Sequence, residues 1–309
     1  MAMRSKSPYG PYEWKRVLER GKTTMNGPHQ GGWIHTKYGE DWFIHFQDKG
    51  PYGRVCHLQP VDWSSGWPVM GNAGEPYWKF RKPKSDSKTI VNPVETDEFD
   101  SSKLGMQWQW QNDYKESYGQ ATSMGFFRLF TYALPELGDV SNLWYVPNML
   151  LQKTPADEFT ATTKLSFCSR NSDQYVGLVC MSAEYSSVGL QRTEDGYELQ
   201  IRHNPNAMRT HLTDEVLTVD TLKPTQKGTP RKGRPAEMHI KDVYLRMSIK
   251  DSKVNYAYSI DGKKWKKAGG EYAMGKGRWI GSKIGFFAVD PNKTGRKGFI
   301  DIDWFRISR

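Results

Sequence analysis

The sequence predicts an all-β chain, and three observations carry that reading. The 12 Trp, 16 Tyr and 13 Phe are interleaved with glycine and turn residues and show no sustained helical spacing. Short runs with one apolar face recur along the whole length. Turn signals such as Asn26-Gly27-Pro28 and Asp261-Gly262 fall between those runs. At 309 residues the chain is long enough for two domains. Composition divides it into a strand-and-turn region over 1–80, a linker rich in Lys, Ser and Pro over 81–96, and an alternating-strand region over 97–309.

The first region opens on a turn-rich connector, Ser7-Pro8-Tyr9-Gly10-Pro11-Tyr12-Glu13, followed by a brief extended run from Trp14 to Leu18. After the Asn26-Gly27-Pro28 turn, Gly31 to Thr36, Trp42 to Gln47 and Arg54 to Val61 predict three antiparallel strands of one sheet. Ser64-Ser65-Gly66-Trp67-Pro68 is a further turn, and Val69-Met70-Gly71 closes the unit. Each strand carries a polar residue that a plain strand does not need, as in a sheet packed inside something larger. In the second region, strands are predicted at Phe126 to Phe130, Phe159 to Phe167, Tyr175 to Cys180 and Tyr197 to Arg202. Four more follow at Val243 to Ile249, Val254 to Ile260, Lys283 to Val289 and Phe299 to Ile307. Alternation with one apolar face at short intervals predicts a two-sheet antiparallel sandwich, with a tight hairpin at Asp261-Gly262.

The formal charge of +10 raises nucleic acid as a partner. Much of the excess sits in Lys223 to Pro235, a loop punctuated by Pro and Gly, and in Lys263-Lys264-Trp265-Lys266-Lys267. Both read as solvated faces. The aromatic signature of an RNA-binding sheet is missing, so no nucleic-acid partner is expected. No run approaches the ~20 apolar residues of a membrane span. Met1 to Pro8 lacks the apolar core of a signal peptide. Cys56, Cys168 and Cys180 sit in strand-like runs and are expected as buried free thiols.

Strands of such a sheet run up, down, up. The start of the first strand and the connection between the second and third therefore meet at one edge. His29 opens the first strand, and Gln47 to Arg54, including Asp48, forms that connection. An imidazole beside an arginine suits a sugar or an ion. The plainer alternative is that His29 satisfies backbone groups while Arg54 pairs with Asp48 or Glu40.

The run Gly27-Pro28-His29-Gln30-Gly31-Gly32-Trp33, continued by Trp42-Phe43-Ile44-His45-Phe46-Gln47-Asp48 and Gly53-Arg54-Val55-Cys56-His57-Leu58-Gln59-Pro60, resembles a known blade. It is similar to the last blade of the five-bladed propeller in glycoside hydrolase family 43, which includes β-xylosidases and α-L-arabinofuranosidases. Phe99-Asp100, Gln107-Trp108-Gln109-Trp110, Phe159-Thr160-Ala161-Thr162-Thr163-Lys164 and Tyr258-Ser259-Ile260-Asp261-Gly262-Lys263-Lys264-Trp265 resemble the concanavalin A-like (jelly-roll) sandwich that follows that propeller. Together the two resemblances cover nearly the whole chain. They imply an incomplete propeller, its last blade and part of the preceding one, followed by the sandwich.

The resemblance also implies roles. His29 matches the histidine at the propeller centre, where the family binds a metal, often calcium, or a water. Arg54, in Gly53-Arg54, matches the arginine that contacts the sugar in the first subsite, a task suited to its fixed fork of donors. Gln47 and Asp48, which lie in the same connection, are expected beside Arg54 in binding substrate. Trp279, in Arg278-Trp279-Ile280-Gly281, matches the aromatic that the sandwich leans over the pocket, with plain packing as the alternative.

An inverting glycosidase needs a carboxylic acid and a carboxylate ~6.5–9.5 Å apart. The family places its base aspartate, an orienting aspartate and its acid glutamate in the first, third and fourth blades. Arg4-Ser5-Lys6-Ser7 matches the strand just after that glutamate, so all three are expected upstream of Met1. Glu13, Glu40, Asp41 and Asp48 read as turn or surface acids. The implied partners are a xylo- or arabino-oligosaccharide and an N-terminal propeller fragment, and the implied setting is secreted or periplasmic. The alternative function is a non-catalytic carbohydrate-binding sandwich presenting Trp108, Trp110 or Trp144. A structural calcium is expected in the sandwich if Asp97, Glu98, Asp301 and Asp303 converge.

Overall fold

The computed structural model describes residues 1–89, 91–134, 142–209, 212–231, 233–277, 279–292 and 295–309. Lys232 of the basic loop and Arg278 beside Trp279 lie outside the described residues. The chain divides into two units, 1–92 and 93–309, and the described residues contain strands and short 3-10 turns without an α-helix.

In the first unit, β1 (Ala2–Arg4) pairs with β2 (Glu13–Lys15). A four-stranded antiparallel meander follows: β3 (His29–His35), β4 (Asp41–Asp48), β5 (Arg54–Asp62) and β6 (Val69–Met70). The three predicted strands are found: β4 and β5 run a residue further at one or both ends, and β3 begins two residues earlier and ends one residue earlier than predicted. Register shifts between His29 and Gly31, so Gln30 is the extra residue of a bulge. Gly31 is required there, because a Cβ would stand 2.2 Å from the Ile44 carbonyl oxygen. The buried apolar side chains of this unit are Val17, Met25, Trp42 and Met70. Ile34, Ile44 and Leu58, on the Trp42 face by register, remain 46%, 40% and 37% exposed. Part of the segment whose composition reads as a linker is folded onto this unit. Phe80 packs edge-on against Trp42, and Arg81 and the Lys84 amide both bond Glu40.

The second unit is a sandwich of two antiparallel-dominated sheets. One runs β16 (Glu215–Leu222), β15 (Tyr197–Asn204), β14 (Tyr185–Arg192), β13 (Tyr175–Met181), β21 (Lys283–Asp290), β11 (Leu150–Lys153) and β7 (Gln109–Trp110). A short β10 (Tyr132–Ala133) lies parallel to β21. The other sheet runs β20 (Lys266–Ala273), β19 (Lys253–Ser259), β18 (Met238–Lys250), β12 (Phe159–Ser169), β22 (Phe299–Ser308), β9 (Phe127–Phe130) and β8 (Gly119–Ala121). Here β17 (Gln226–Lys227) pairs with β18.

Alternation along β12 and β18, interrupted in β18 by a bulge at Lys241–Asp242, sends Ala161, Leu165, Phe167, Leu245, Met247 and Ile249 inward. By contrast, β13, β14 and β21 are buried on both faces. Their second face is covered by Leu143, Val146, Met149 and Ala207, which form a further apolar cluster with Val179, Tyr185 and Phe287. Cys168 and Cys180 are buried free thiols as expected, whereas Cys56 is exposed, because its side of β5 carries no covering layer in this unit.

Candidate sugar-binding edge of the first unit

The turn before β3 is locked to the β4–β5 connection. Asn26 Nδ2 donates to the Asp48 carbonyl at 2.6 Å, and the Asp48 amide donates back to Asn26 Oδ1 at 3.1 Å. That latch sets His29 opposite Phe46, their rings stacked with centroids 5.2 Å apart. Arg54 pairs in register with Asp48, two residues beyond Phe46, and its guanidinium lies 4.6 Å from the Phe46 centroid. The sheet thus brings His29 and Arg54 to one aromatic platform. Phe46 was not singled out from the sequence, although its place two residues before Asp48 puts it on the same face.

Neither alternative partner holds Arg54. Glu40 is taken by Arg81 and the Lys84 amide, and Asp48 Oδ1 accepts the Gly50 amide at 3.0 Å. Among the described residues no carboxylate pairs with the Arg54 guanidinium, which is exposed with its donors available.

Gln47 does not share this face. Alternation along β4 turns it to the opposite side, where its amide donates to the Thr24 carbonyl at 3.3 Å and its oxygen lies 3.2 Å from His57 Nε2. That side carries His45 and His57, stacked 5.4 Å apart, with Gln59 Nε2 3.4 Å from His45 Nε2. Burial lowers both imidazole pKa values, with nearby positive charge adding to the effect. Trp279 belongs to the second unit, where it is 68% exposed with its backbone in the left-handed region at φ 64°.

The acids singled out in the first unit are committed elsewhere. Glu13 pairs with Arg4 at 2.9 Å. The Lys84 amide, then Arg81, hold Glu40 below its ordinary carboxylate pKa, and His35 and Trp33 do the same for Asp41. A general acid needs a raised pKa, so neither is set up for that role.

In the sandwich, the acids expected to share a calcium do not converge. Asp301 is gripped by Arg128 through two bonds of 2.7 and 2.8 Å, Asp303 pairs with Lys164 at 2.9 Å, and Glu98 pairs with Arg306 at 2.8 Å. Asp97 accepts the Trp108 indole N–H at 2.7 Å and the Phe99 amide at 2.9 Å. The tryptophans considered for glycan stacking are also engaged. Trp108 is buried, Trp110 packs with Tyr118 and Phe127, and Trp144 lies against the apolar cluster over β13 and β21.

Comparison with known proteins agrees with this architecture. Residues 96–308 match the model of the β-xylosidase C-terminal concanavalin A-like domain, and residues 1–68 match that of glycosyl hydrolases family 43. A Xylanibacter ruminicola protein provisionally named β-xylosidase is 32% identical over 92% of this chain and 49% of its own length. A Formosa agariphila β-xylosidase is 29% identical over 99% of this chain and 52% of its own length. The crystal structure of the GH43 protein BlXynB from Bacillus licheniformis superposes with a TM-score of 0.77 at 25% identity, covering 99% of this chain and 59% of that one. The chain spans about half the length of the curated relatives it matches. With both units matched in order, the chain belongs to glycoside hydrolase family 43.

Proposed function

We propose that this chain supplies the closing blade and the accessory sandwich of an inverting family 43 glycosidase acting on xylo- or arabino-oligosaccharides. In this reading the five-bladed ring is completed by a propeller segment outside these 309 residues. That segment carries the two aspartates and the glutamate that handle protons, covers the exposed Ile34, Ile44 and Leu58 face, and places any calcium beside His29. The same reading has the enzyme exported to meet those oligosaccharides. The observation that carries the reading is the Arg54 guanidinium, held on Phe46 beside His29 with its donors unclaimed. A planar fork of that kind addresses two neighbouring sugar hydroxyls at once.

The chemistry divides between parts. Arg54 fixes the sugar ring by hydrogen bonds, Asp48 shares its face, and in the completing segment the protonated glutamate gives its proton to the leaving oxygen while an ionised aspartate takes one from the attacking water on the opposite side of the ring. The 309-residue chain alone is expected to leave 4-nitrophenyl β-xyloside and 4-nitrophenyl arabinofuranoside intact; turnover of either would overturn the reading. In-frame DNA upstream of the Met1 codon is expected to encode four further blades. With that segment present, Arg54→Lys is expected to weaken xylo-oligosaccharide binding at least about tenfold, equivalent to ~1.4 kcal/mol, in calorimetric titration. Trp279→Ala in the same titration reports whether that side chain adds to binding.

A further inference from the structure

We propose that Cys168, Glu237 and His239 form a binding site for a zinc-class divalent transition metal on the outer face of the second sheet of the sandwich. Cys168 of β12 and His239 of β18 are directly opposed partners on adjacent strands in the middle of that sheet. Glu237 lies two residues before His239 and so points to the same side. Cys168 Sγ is 3.5 Å from His239 Nε2, and that nitrogen is 2.8 Å from Glu237 Oε1. All three ligand atoms lie within 4.8 Å of one another.

Bonds of about 2.3 Å to sulfur and about 2.0–2.1 Å to nitrogen, at the tetrahedral angle, put those two atoms about 3.5 Å apart. Thiol and imidazole therefore already stand at ligating separation. The carboxylate has to draw back from the imidazole only to roughly 3.3 Å, a small rotation for a half-buried side chain. A thiolate with an imidazole and one carboxylate suits zinc-like ions, whereas calcium and magnesium seek all-oxygen sets.

The surroundings fit a metal site. Arg170 Nε donates to the second Glu237 oxygen at 2.8 Å, the kind of outer hydrogen bond that orients a ligating carboxylate. The Thr225 amide and hydroxyl hold the His239 carbonyl at 2.8 and 3.1 Å, which steadies the backbone beneath the imidazole. Cys168 and His239 line an open cavity of about 270 Å3, which gives an ion its way in and leaves the fourth position to water. On binding, the Cys168 proton passes to solvent, and the neutral imidazole offers Nε2 while keeping its proton on Nδ1.

The test uses the full chain after chelator treatment. Zinc is titrated in competition with a chromogenic chelator, and cobalt is added separately to read the thiolate-to-metal charge-transfer absorption. About one zinc per chain and a cobalt–thiolate band are expected in the native chain and in Cys56→Ser. The band is expected to vanish in Cys168→Ser, and zinc binding is expected to fall at least tenfold in His239→Gln. Absence of the band from the native chain overturns the proposal, as does a band lost in Cys56→Ser. If substitution at Cys168 prevents folding, a band kept in both Cys56→Ser and Cys180→Ser assigns it to Cys168, and a band lost in either overturns the proposal.

Discussion

Phe46 organises the candidate edge. It receives the His29 ring from one neighbouring strand and the Arg54 guanidinium from the other. A cation over an aromatic ring is worth about 0.5–1 kcal/mol at an exposed site. Phe46→Leu, which leaves an apolar side chain but no ring, is therefore expected to weaken oligosaccharide binding by a few-fold; unchanged affinity in the calorimetric titration would remove Phe46 from the site. Much at this scale was legible. His29 and Arg54 could be placed at one edge because the up-down-up course of a meander leaves little choice. Gln47 and Asp48 are neighbours in sequence, and the alternation that separates them onto opposite faces could also have been read. The partners of Glu98, Asp301 and Asp303 could not. Arg128 and Arg306 reach their acids across 173 and 208 residues, and nothing in the local sequence signals such a pairing.

At the scale of the strand, alternation decides what can be seen. β3, β4 and β5 stand out as short aromatic and apolar runs set off by polar turns, whereas β12 and β18 stand out because one side is apolar and the other polar. β14, Tyr185–Arg192, escaped notice because it is buried on both faces and its small residues, Ser186, Ser187 and Gly189, break the pattern. β16 escaped because it is an exposed edge strand whose apolar residues, Val216, Leu217, Val219 and Leu222, fall on both sides rather than alternating. The bulge at Gln30 makes a definite demand on its neighbour. A methyl group at Gly31 meets the Ile44 carbonyl rather than a yielding side chain. Gly31→Ala is expected to cost about 1–3 kcal/mol, seen as a lower urea midpoint for the first unit, and an unchanged midpoint would show that the bulge relaxes freely.

At the scale of the molecule, the burial is uneven. Among the described residues, four apolar side chains are buried in the first unit, and the remaining buried apolar residues lie in the second. Residues 93–309, expressed alone, are expected to fold with a single cooperative transition. Residues 1–92 alone are expected to melt early and to bind hydrophobic dyes through the uncovered strand face. A molten 93–309 would overturn that division.

The stacked His45 and His57 give the two units different tolerance of acid. Burial depresses both folded-state pKa values, and Lys49 adds to the effect at His57. An unfolded chain takes up these protons more readily, so the stability they permit is complete above about pH 6.5. It drains away as the medium sours past that point. Calorimetry from pH 7.5 down to 5 should therefore show the earlier heat-absorption peak, that of the first unit, sliding down with acidity. His45→Gln combined with His57→Gln should hold that earlier peak in place.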